Sequence, residues 1–398
     1  MRGASLAVFG VALVTVGSQA DIAALVGQAC SFAAGIGVVY LVLASYLVMR
    51  FRQEAPRMPA RFTPASILVP LCGEDARLRE RLLALCRQSY GAAVQLVCGV
   101  SDAADPAVGV VKSVAAESSG VKVDLEIDPL THGGNRKISN LINMAPLAQA
   151  EFLAIIDSDI LVGPTHLARI AAELERPGVG AVTCLYHGVG GAGVWSCLAS
   201  LSINADFLPS IVVALAFGAA QPCFGSTIAL HKRTLEDIGG LRAFADCLHD
   251  DYAIGERLRE AGHEIAIPRF AVTHVCREQT ALDLIKNQIR AARTIRFINP
   301  KGYAGSIIAH PAAFAISATL LGASHGVPLI LLALAGRLAL CLSVERAFSL
   351  QRQTYWLLLI YEFLFLFVYT ASFFGAGISW RGERYRLKPD GTLVHDPQ

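Results

Sequence analysis

Two aspartates one residue apart stand out as side chains that could bind a metal ion. Asp157-Ser158-Asp159 directly follows the apolar run Phe152–Ile156, which we predict to be a buried strand. Both carboxylates can reach one divalent cation, and Mg2+ or Mn2+ that bridges diphosphate oxygens takes oxygen ligands. Such a cation offsets charge on a departing nucleotide diphosphate. We therefore predict that Asp157 and Asp159 hold the metal and that Asp157 also binds the nucleotide; the competing interpretation is a solvated turn.

Further polar residues lie next to other predicted elements. Asp102 and Asp105 follow the predicted strand Val94–Val100, where a carboxylate can hold the uracil or ribose of a nucleotide, although Asp before Pro is also ordinary turn chemistry. The run Gly-Gly-Asn-Arg-Lys, which ends at Lys137, precedes a predicted helix. Free amides at a helix start and a lysine suit a phosphate. We therefore predict nucleotide-binding roles for Asp102, Asp105 and Lys137.

Two carboxylates begin the predicted helix Tyr252–Ala261. A carboxylate in this place can cap the helix, which suits Asp250, or can act as a general base that deprotonates a hydroxyl, which we assign to Asp251. A basic run, 286–296, comes next along the chain. Its alternative interpretation is a patch that faces a membrane surface, and that needs no catalytic role.

Alternating strands and helices position these residues. The order of elements predicts a mostly parallel sheet with right-handed crossovers, in which ligands gather at the carboxyl ends of the strands. The predicted strands are Ser66–Leu71, Val94–Val100, Val121–Ile127 and Phe152–Ile156. The predicted helices are Arg77–Gln88, Pro106–Ser118, Arg136–Gln149 and Pro164–Glu175.

The composition indicates a membrane protein with a polar middle. Of the 398 residues, 54% are apolar and 17% charged, which departs from soluble usage in both directions. The net charge of +2 gives no reason to expect nucleic acid as a partner. The ten cysteines are scattered and include no Cys-x-x-Cys pair, so we predict free thiols in a reducing compartment and no structural metal site.

The predicted domains follow from the apolar segments. Cys30–Met49 is long enough to cross a bilayer, so residues 1–50 form an N-terminal membrane anchor, with Ala4–Val16 as a second apolar stretch. Several arginines follow it, which places residues 62–300 in the cytoplasm as a catalytic domain. Within that domain, polar residues interrupt the apolar stretch 193–218, which we predict to be an interfacial helix.

In the C-terminal region, the number of apolar segments conflicts with the position that the positive-inside rule gives to the basic tail. Residues 303–376 contain three apolar segments, Tyr303–Leu321, Val327–Val344 and Tyr355–Phe374, and residues 377–398 form a basic tail. Arg346 and Arg352 suit the cytoplasmic side of the membrane. Three full crossings would nevertheless put the basic tail outside, against the positive-inside rule. Either one segment is re-entrant or interfacial, or the rule fails here.

The ordered motifs resemble those of the ceramide glucosyltransferase-like branch of the family-2-type GT-A glycosyltransferases, from about Ser66 to the tail. Asp105-Pro106, Asp157-Ser158-Asp159 and Asp250-Asp251-Tyr252 match three of them, and Lys137 lies in a run that resembles Pro-Lys-Ile-Asn-Asn-Leu. The last motif, (Gln/Arg)-x-x-Arg-Trp, departs from the pattern: here it reads Asn287-Gln288-Ile289-Arg290-Ala291. Arg290 is the part that remains.

The resemblance implies an α/β GT-A (Rossmann-like) fold and transfer of one sugar, with inversion, from a UDP-sugar donor to a lipid hydroxyl. It assigns catalysis to Asp251 and Arg290, donor binding to Asp102, Asp105, Lys137 and Asp157, and Mg2+ or Mn2+ to Asp157 and Asp159. Composition and the run Ala292–Arg296 resemble bacterial members that act in hopanoid biosynthesis. That implies N-acetylglucosamine, with glucose as the alternative, a hopanoid such as bacteriohopanetetrol, and the inner membrane of a bacterium.

Two other interpretations stay open at this point. A processive polysaccharide synthase relies on the complete Gln-x-x-Arg-Trp motif and more spans, so the missing Trp counts against it. An inactive membrane scaffold that kept the fold is supported only by that altered motif, and the intact acidic sites argue against it. The sequence leaves the oligomeric state undetermined.

Overall fold

The computed structural model describes residues 19–51, 55–73, 76–191 and 193–374, and the backbone of strands at 377–380, 383–387 and 393–395. The predicted apolar stretch Ala4–Val16 lies outside the described residues. In chain order the strands are β1 Ala65–Pro70, β2 Val94–Val100, β3 Lys122–Ile127, β4 Phe152–Ile155, β5 Ile160–Leu161, β6 Val179–Thr183, β7 Leu185–Gly190, β8 Ile228–His231, β9 Glu264–Ala266, β10 Ala271–Cys276, β11 Gly377–Trp380, β12 Glu383–Leu387 and β13 Leu393–His395.

The helices surround the strands and extend beyond them. In chain order they are α1 Gln19–Arg50, α2 Leu78–Cys86, α3 Ala107–Glu117, α4 Arg136–Met144, α5 His166–Leu174, α6 Val194–Ser202, α7 Leu208–Ala216, α8 Lys232–Asp237, α9 Asp250–Glu260, α10 Ala281–Ile298, α11 Pro300–Gly305, α12 Pro311–Leu320, α13 Gly326–Phe348 and α14 Leu358–Ser372. A π-helical turn, Ile203–Phe207, joins α6 to α7.

A seven-stranded sheet in the order β3-β2-β1-β4-β8-β6-β9 forms the centre of the catalytic domain. Strands β1 to β4 pair in parallel, and each lies within one residue of its predicted bounds. Strand β8 is antiparallel to both of its neighbours, β4 and β6. The predicted mostly parallel α/β sheet is therefore confirmed.

Helices cover both faces of this sheet. Alternate strand residues point to opposite faces, so Ile67 packs with α2, α3 and α5 in one core, while Leu68 packs with α4 and α9 in the other. This three-layer packing fixes the carboxyl ends of β1, β2 and β4 along one edge. The loops at that edge carry the polar residues predicted to act.

A small second sheet joins the turn Asp157-Ser158-Asp159, called the aspartate turn below, to a distant part of the chain. Its order is β5-β10-β7, and β10 pairs antiparallel with β5 so that His274 lies opposite Ile160. Since β5 begins immediately after Asp159, this pairing brings His274 next to that carboxylate.

Long apolar helices pack together beside the catalytic domain. Among the described residues, α1, the pair α6–α7, α13 and the segment Tyr355–Ser372 are long and apolar enough to cross a membrane. Helices α11 and α12 form a pair bent by 64°, which is a broken span or a re-entrant loop. The bounds of the predicted domains, and the interfacial placement of 193–218, stay predictions.

Contacts between these helices fix their relative directions. Helix α12 is antiparallel to α1, because Gly27 lies against Leu321 and Gly37 lies against Pro311. Helix α13 is parallel to α1, because the C-terminal halves of both helices share one cluster with Leu185 of the catalytic domain. The end of α13, which contains Arg346 and is followed by Arg352, therefore lies beside the α/β domain.

The last apolar helix runs beside the basic helix α10. Leu284 at the start of α10 packs with the start of α14, Ala292 packs with Val368 further along, and the Arg293 guanidinium donates to the carbonyl of Phe374. Strand β11 of the tail also contacts α10. This packing places α14 and β11 beside α10; the number of crossings and the side of the tail stay predictions.

Candidate active site

The aspartate turn is held by its neighbours in the sheet. The backbone N–H of Ile156 donates to the carbonyl of Leu68 (3.0 Å), and that of Asp157 donates to the carbonyl of Gly225 (3.2 Å). Asp157 and Asp159 are both half-buried at the carboxyl end of β4. The turn thus presents two carboxylates at the edge where ligands of such sheets bind.

Lys137 lies between two carboxylates. Its Nζ is 2.8 Å from Asp157 Oδ1 and 2.9 Å from Asp250 Oδ2. Burial alone would lower the pKa of Lys137, but Asp157, Asp250 and Asp251 together raise it well above its ordinary value. Burial raises the pKa of Asp157 to about 6, with Lys137 opposing and Asp159 adding to the rise. The Lys137 ammonium therefore compensates the charge of carboxylates from two motifs that are far apart in sequence.

Asn135 holds this arrangement together. It is fully buried and caps α4, where its side-chain oxygen accepts from the N–H of Lys137 (2.9 Å) and of Ile138 (3.1 Å). Its Nδ2 donates to the carbonyl of Cys247 (2.7 Å) and to Asp250 Oδ1 (3.3 Å). The glycine-rich run thus acts here as a helix cap that places Lys137 against Asp250.

Asp159 has basic neighbours of its own. His274 Nδ1 lies 3.6 Å and Arg277 Nη2 lies 3.8 Å from its carboxylate. Burial raises the pKa of Asp159, but His274, Arg277 and Arg81 outweigh burial and hold it well below its ordinary value. The buried Arg81 also donates from Nε to the carbonyl of Ser158 (2.6 Å). Sequence reasoning missed His274, Arg277 and Arg81. For the first two, the available signal was a histidine within the run 271–276 and an arginine directly after it.

Asp251 lies at the start of α9 and faces the same edge. Its carboxylate accepts from the N–H of Gly225 (3.1 Å) and from that of Tyr252 (2.8 Å). Burial and the adjacent Asp250 raise the pKa of Asp251. A carboxylate with a raised pKa is a stronger base, which suits proton abstraction.

Gly225 permits the close approach of these groups. A Cβ on Gly225 would lie 2.5 Å from Asp157 Oδ2 and 3.0 Å from Lys137 Nζ. We expect Gly225→Ala to displace both side chains and to lower kcat/KM by about 10²-fold, because misplacing reacting groups by an ångström has effects of this size. The measurement is steady-state transfer; Gly109→Ala, where a Cβ meets nothing within 4 Å, is the control. Equal activity of both variants would contradict this account.

The remaining predicted residues lie around this centre. Asp105 accepts from the N–H of Gly73 (2.8 Å) and of Ala107 (2.8 Å), so it connects the loops after β1 and β2. Asp102 is exposed and accepts from the N–H of Ala104 (2.9 Å), an ordinary turn contact. Arg290 on α10 lies close to His249, whose pKa falls to about 4 through burial, with Arg290 adding to the fall. The donor-binding and catalytic roles of these three residues stay predictions.

The donor set of the aspartate turn fits a hard divalent cation. Asp157 and Asp159 supply carboxylate oxygens, the ligand type that such cations take, and diphosphate oxygens can complete the coordination. Within the described residues no group of three or more His, Cys, Asp or Glu side chains is arranged to hold a metal by itself.

Comparisons with known proteins identify a family and a fold for the chain. The family described as Glycosyl transferase family 21 matches residues 30–393. Ceramide glucosyltransferase 1 of Caenorhabditis elegans is 21% identical over 242 residues, which are 60% of this chain and 51% of that protein. The chain therefore spans about half the length of this relative. A mannosyltransferase from Pyrobaculum calidifontis, solved with GDP-mannose and Mn2+, has a TM-score of 0.52 at 19% identity and covers 89% of this chain and 99% of its own; that likeness concerns the fold.

Proposed function

The chain belongs to glycosyl transferase family 21 and is a glycosyltransferase of GT-A fold, and from this premise we propose that it transfers one sugar, with inversion, from a UDP-sugar to a lipid hydroxyl. The resemblance to ceramide glucosyltransferases that its motifs indicated is confirmed. One observation carries the proposal: Asp157, Asp159, Lys137, Asp250 and Asp251 meet at one edge of the sheet, beside apolar helices.

Each group has a role in the proposed reaction. Asp251 accepts the proton of the acceptor hydroxyl, whose oxygen attacks the anomeric carbon from the face opposite the departing diphosphate. Asp157 and Asp159 would hold a divalent cation, which supplies charge stabilisation to the diphosphate when bound. Lys137 forms ion pairs with Asp157 and Asp250 and holds both carboxylates in place. Asp102 and Asp105 contact the nucleoside, and Arg290 approaches the site from α10.

The lipid acceptor is supported by the helices that flank the site. The Tyr186 ring, near the charges of Asp157, Asp159 and Asp251, stacks on Phe207 (ring centroids 4.8 Å apart) in the π-helical turn between α6 and α7. An acceptor dissolved in the membrane can therefore reach the carboxylates without leaving an apolar surface. Residues 62–300 would lie in the cytoplasm, against the inner membrane of a bacterium.

The proposal also specifies the donor sugar and the class of lipid acceptor. We take N-acetylglucosamine from its UDP carrier, or glucose, as the sugar, and a hopanoid such as bacteriohopanetetrol as the acceptor. The support is the resemblance of the run Ala292–Arg296 and of the composition to bacterial members of that branch.

Transfer by the purified full-length protein tests this function. The protein in detergent receives Mg2+ or Mn2+, UDP-glucose or UDP-N-acetylglucosamine, and ceramide, bacteriohopanetetrol or polyprenyl phosphate, and products are identified by mass spectrometry. One sugar on a hydroxyl lipid is the expected result, and Asp157→Ala should abolish it. A ladder of sugars would indicate a processive synthase, and no product with any pair would overturn the proposal.

A further inference from the structure

Ionisable side chains cluster where the bent helix pair breaks. Arg337 of α13 and Glu362 of α14 are almost fully buried, and His310, at the break before α12, is fully buried. Arg337 Nε donates to Glu362 Oε1 (2.7 Å), and its Nη atoms donate to the carbonyls of Ala205 (2.7 Å) and Ala309 (2.5 Å). Buried charges among apolar helices are costly and commonly mark a functional site.

Two buried polar atoms in this cluster lack a partner. Among the described residues, neither His310 Nε2 nor Tyr361 Oη has a hydrogen-bond partner, although buried polar groups normally have one. His310 Nε2 points toward Asp206 Oδ1 at 3.7 Å, beyond hydrogen-bond distance. Tyr361 also lies within the electrostatic reach of Asp206. His310 Nε2 therefore faces the Asp206 carboxylate, and the Tyr361 ring packs beside that of His310 (ring centroids 5.9 Å apart).

Asp206 is the accessible member of this group. Its side chain is 23% exposed, whereas His310 and Tyr361 are buried. It lies in the π-helical turn Ile203–Phe207, and such turns are frequent at functional sites. The next residue, Phe207, stacks on Tyr186 beside the catalytic carboxylates. Asp206 is thus one residue away from the wall of the proposed transfer site.

We propose that Asp206, His310 and Tyr361 form a subsite that binds a second hydroxyl of an uncharged lipid headgroup. This inference rests on the proposed function, in which Asp251 takes the hydroxyl that receives the sugar. A carboxylate accepts a hydrogen bond from a hydroxyl and repels a phosphate. The acceptor therefore carries at least two hydroxyls and no phosphate, and His310 and Tyr361 complete the hydrogen bonds of the second one.

Tyr361→Phe tests the subsite with little risk to the fold. Because Tyr361 Oη has no protein partner, its removal should leave the thermal midpoint unchanged. We expect about 3- to 10-fold weaker binding of ceramide, a diol, as for loss of one hydrogen bond. Binding of 3-deoxyceramide, which keeps only the primary hydroxyl, should not change.

Asp206→Asn should weaken ceramide binding about 10- to 100-fold, since a charged hydrogen bond is lost. Binding is measured by displacement of a fluorescent ceramide in nanodiscs, separately from turnover.

Tyr369→Phe is the matched control, since Tyr369 lies in α14 like Tyr361 and its Oη donates to the carbonyl of Ala304 in α11 (2.8 Å). It should change stability and leave the ratio of the two affinities unchanged. The subsite is overturned if Tyr361→Phe and Asp206→Asn weaken both lipids equally, or if the wild-type protein prefers polyprenyl phosphate to ceramide. Selective ceramide binding without any sugar transfer would contradict the proposed function but support the subsite.

Discussion

Asp251→Asn is expected to lower kcat by about 10²- to 10⁴-fold, the range that a positioned general base contributes. The asparagine keeps the size of the side chain but cannot accept the proton of the acceptor hydroxyl. Binding of the UDP-sugar should change little, because Asp251 contacts backbone N–H groups and faces the acceptor side of the proposed site. Single-turnover transfer and equilibrium donor binding, measured on the same preparation, separate the two effects.

A matched control comes from the loop just before α9. Asp246 accepts from the N–H of Gly134 (2.8 Å) and is exposed, so Asp246→Asn makes the same chemical change outside the proposed catalytic group. We expect it to retain most of the activity. Comparable losses in both variants would remove the base assignment from Asp251.

The pH dependence of transfer gives an independent check on Asp251. Burial and Asp250 raise its pKa above the ordinary aspartate value of about 3.9, and the base works only when ionised. Hence kcat/KM of the wild-type protein should be constant at higher pH and fall as the pH drops through this raised pKa. Asp157, whose pKa is raised to about 6, must also be ionised and contributes to the same acidic limb. The residual activity of Asp251→Asn should therefore fall less steeply with decreasing pH than that of the wild type, and an identical profile would point to another base.

The sheet could be predicted because its central strands are continuous apolar runs. Strands such as β1 and β2, buried on both faces, are recognised by composition alone and end at turn residues. Strand β8 gave no such signal: it has four residues, and its antiparallel direction depends on its neighbours β4 and β6. The small sheet could likewise not be predicted from the sequence, because a two-residue strand such as β5 forms only through its pairing with β10.

For the candidate site, the sequence could predict which residues lie at the carboxyl edge of the central sheet. Carboxylates that follow parallel strands must gather there, as Asp157 and Asp159 do, whereas Asp251 reaches the same edge from the start of α9. What sequence spacing does not show is which charge compensates which. Lys137 was expected to meet phosphate, yet the structure places it between Asp157 and Asp250, and Asp159 faces His274, a residue 115 positions away in the chain.

The two carboxylates of the aspartate turn therefore have different surroundings. Asp157 shares Lys137 with Asp250, and its pKa rises to about 6 because burial outweighs that lysine. Asp159 is surrounded by His274, Arg277 and Arg81 and stays ionised. A divalent cation at this turn would have as ligands Asp159, whose pKa is held low, and Asp157, whose charge depends on Lys137. This makes Lys137 the residue on which the charge balance of the site depends.

Lys137→Met should destabilise the protein by about 3–5 kcal/mol, the cost of removing one partner from a buried ion pair, and lower kcat/KM by about 10²- to 10³-fold. The methionine fills the same space but leaves Asp157 and Asp250 without their cation. Thermal unfolding in detergent and steady-state transfer measure the two effects. Lys122→Met is the control: Lys122 Nζ is 3.0 Å from Asp124, but its side chain is 54% exposed, so its loss should cost no more than about 1 kcal/mol. If Lys137→Met instead unfolds like the wild type and loses only UDP-sugar affinity, Lys137 serves the diphosphate rather than the carboxylates.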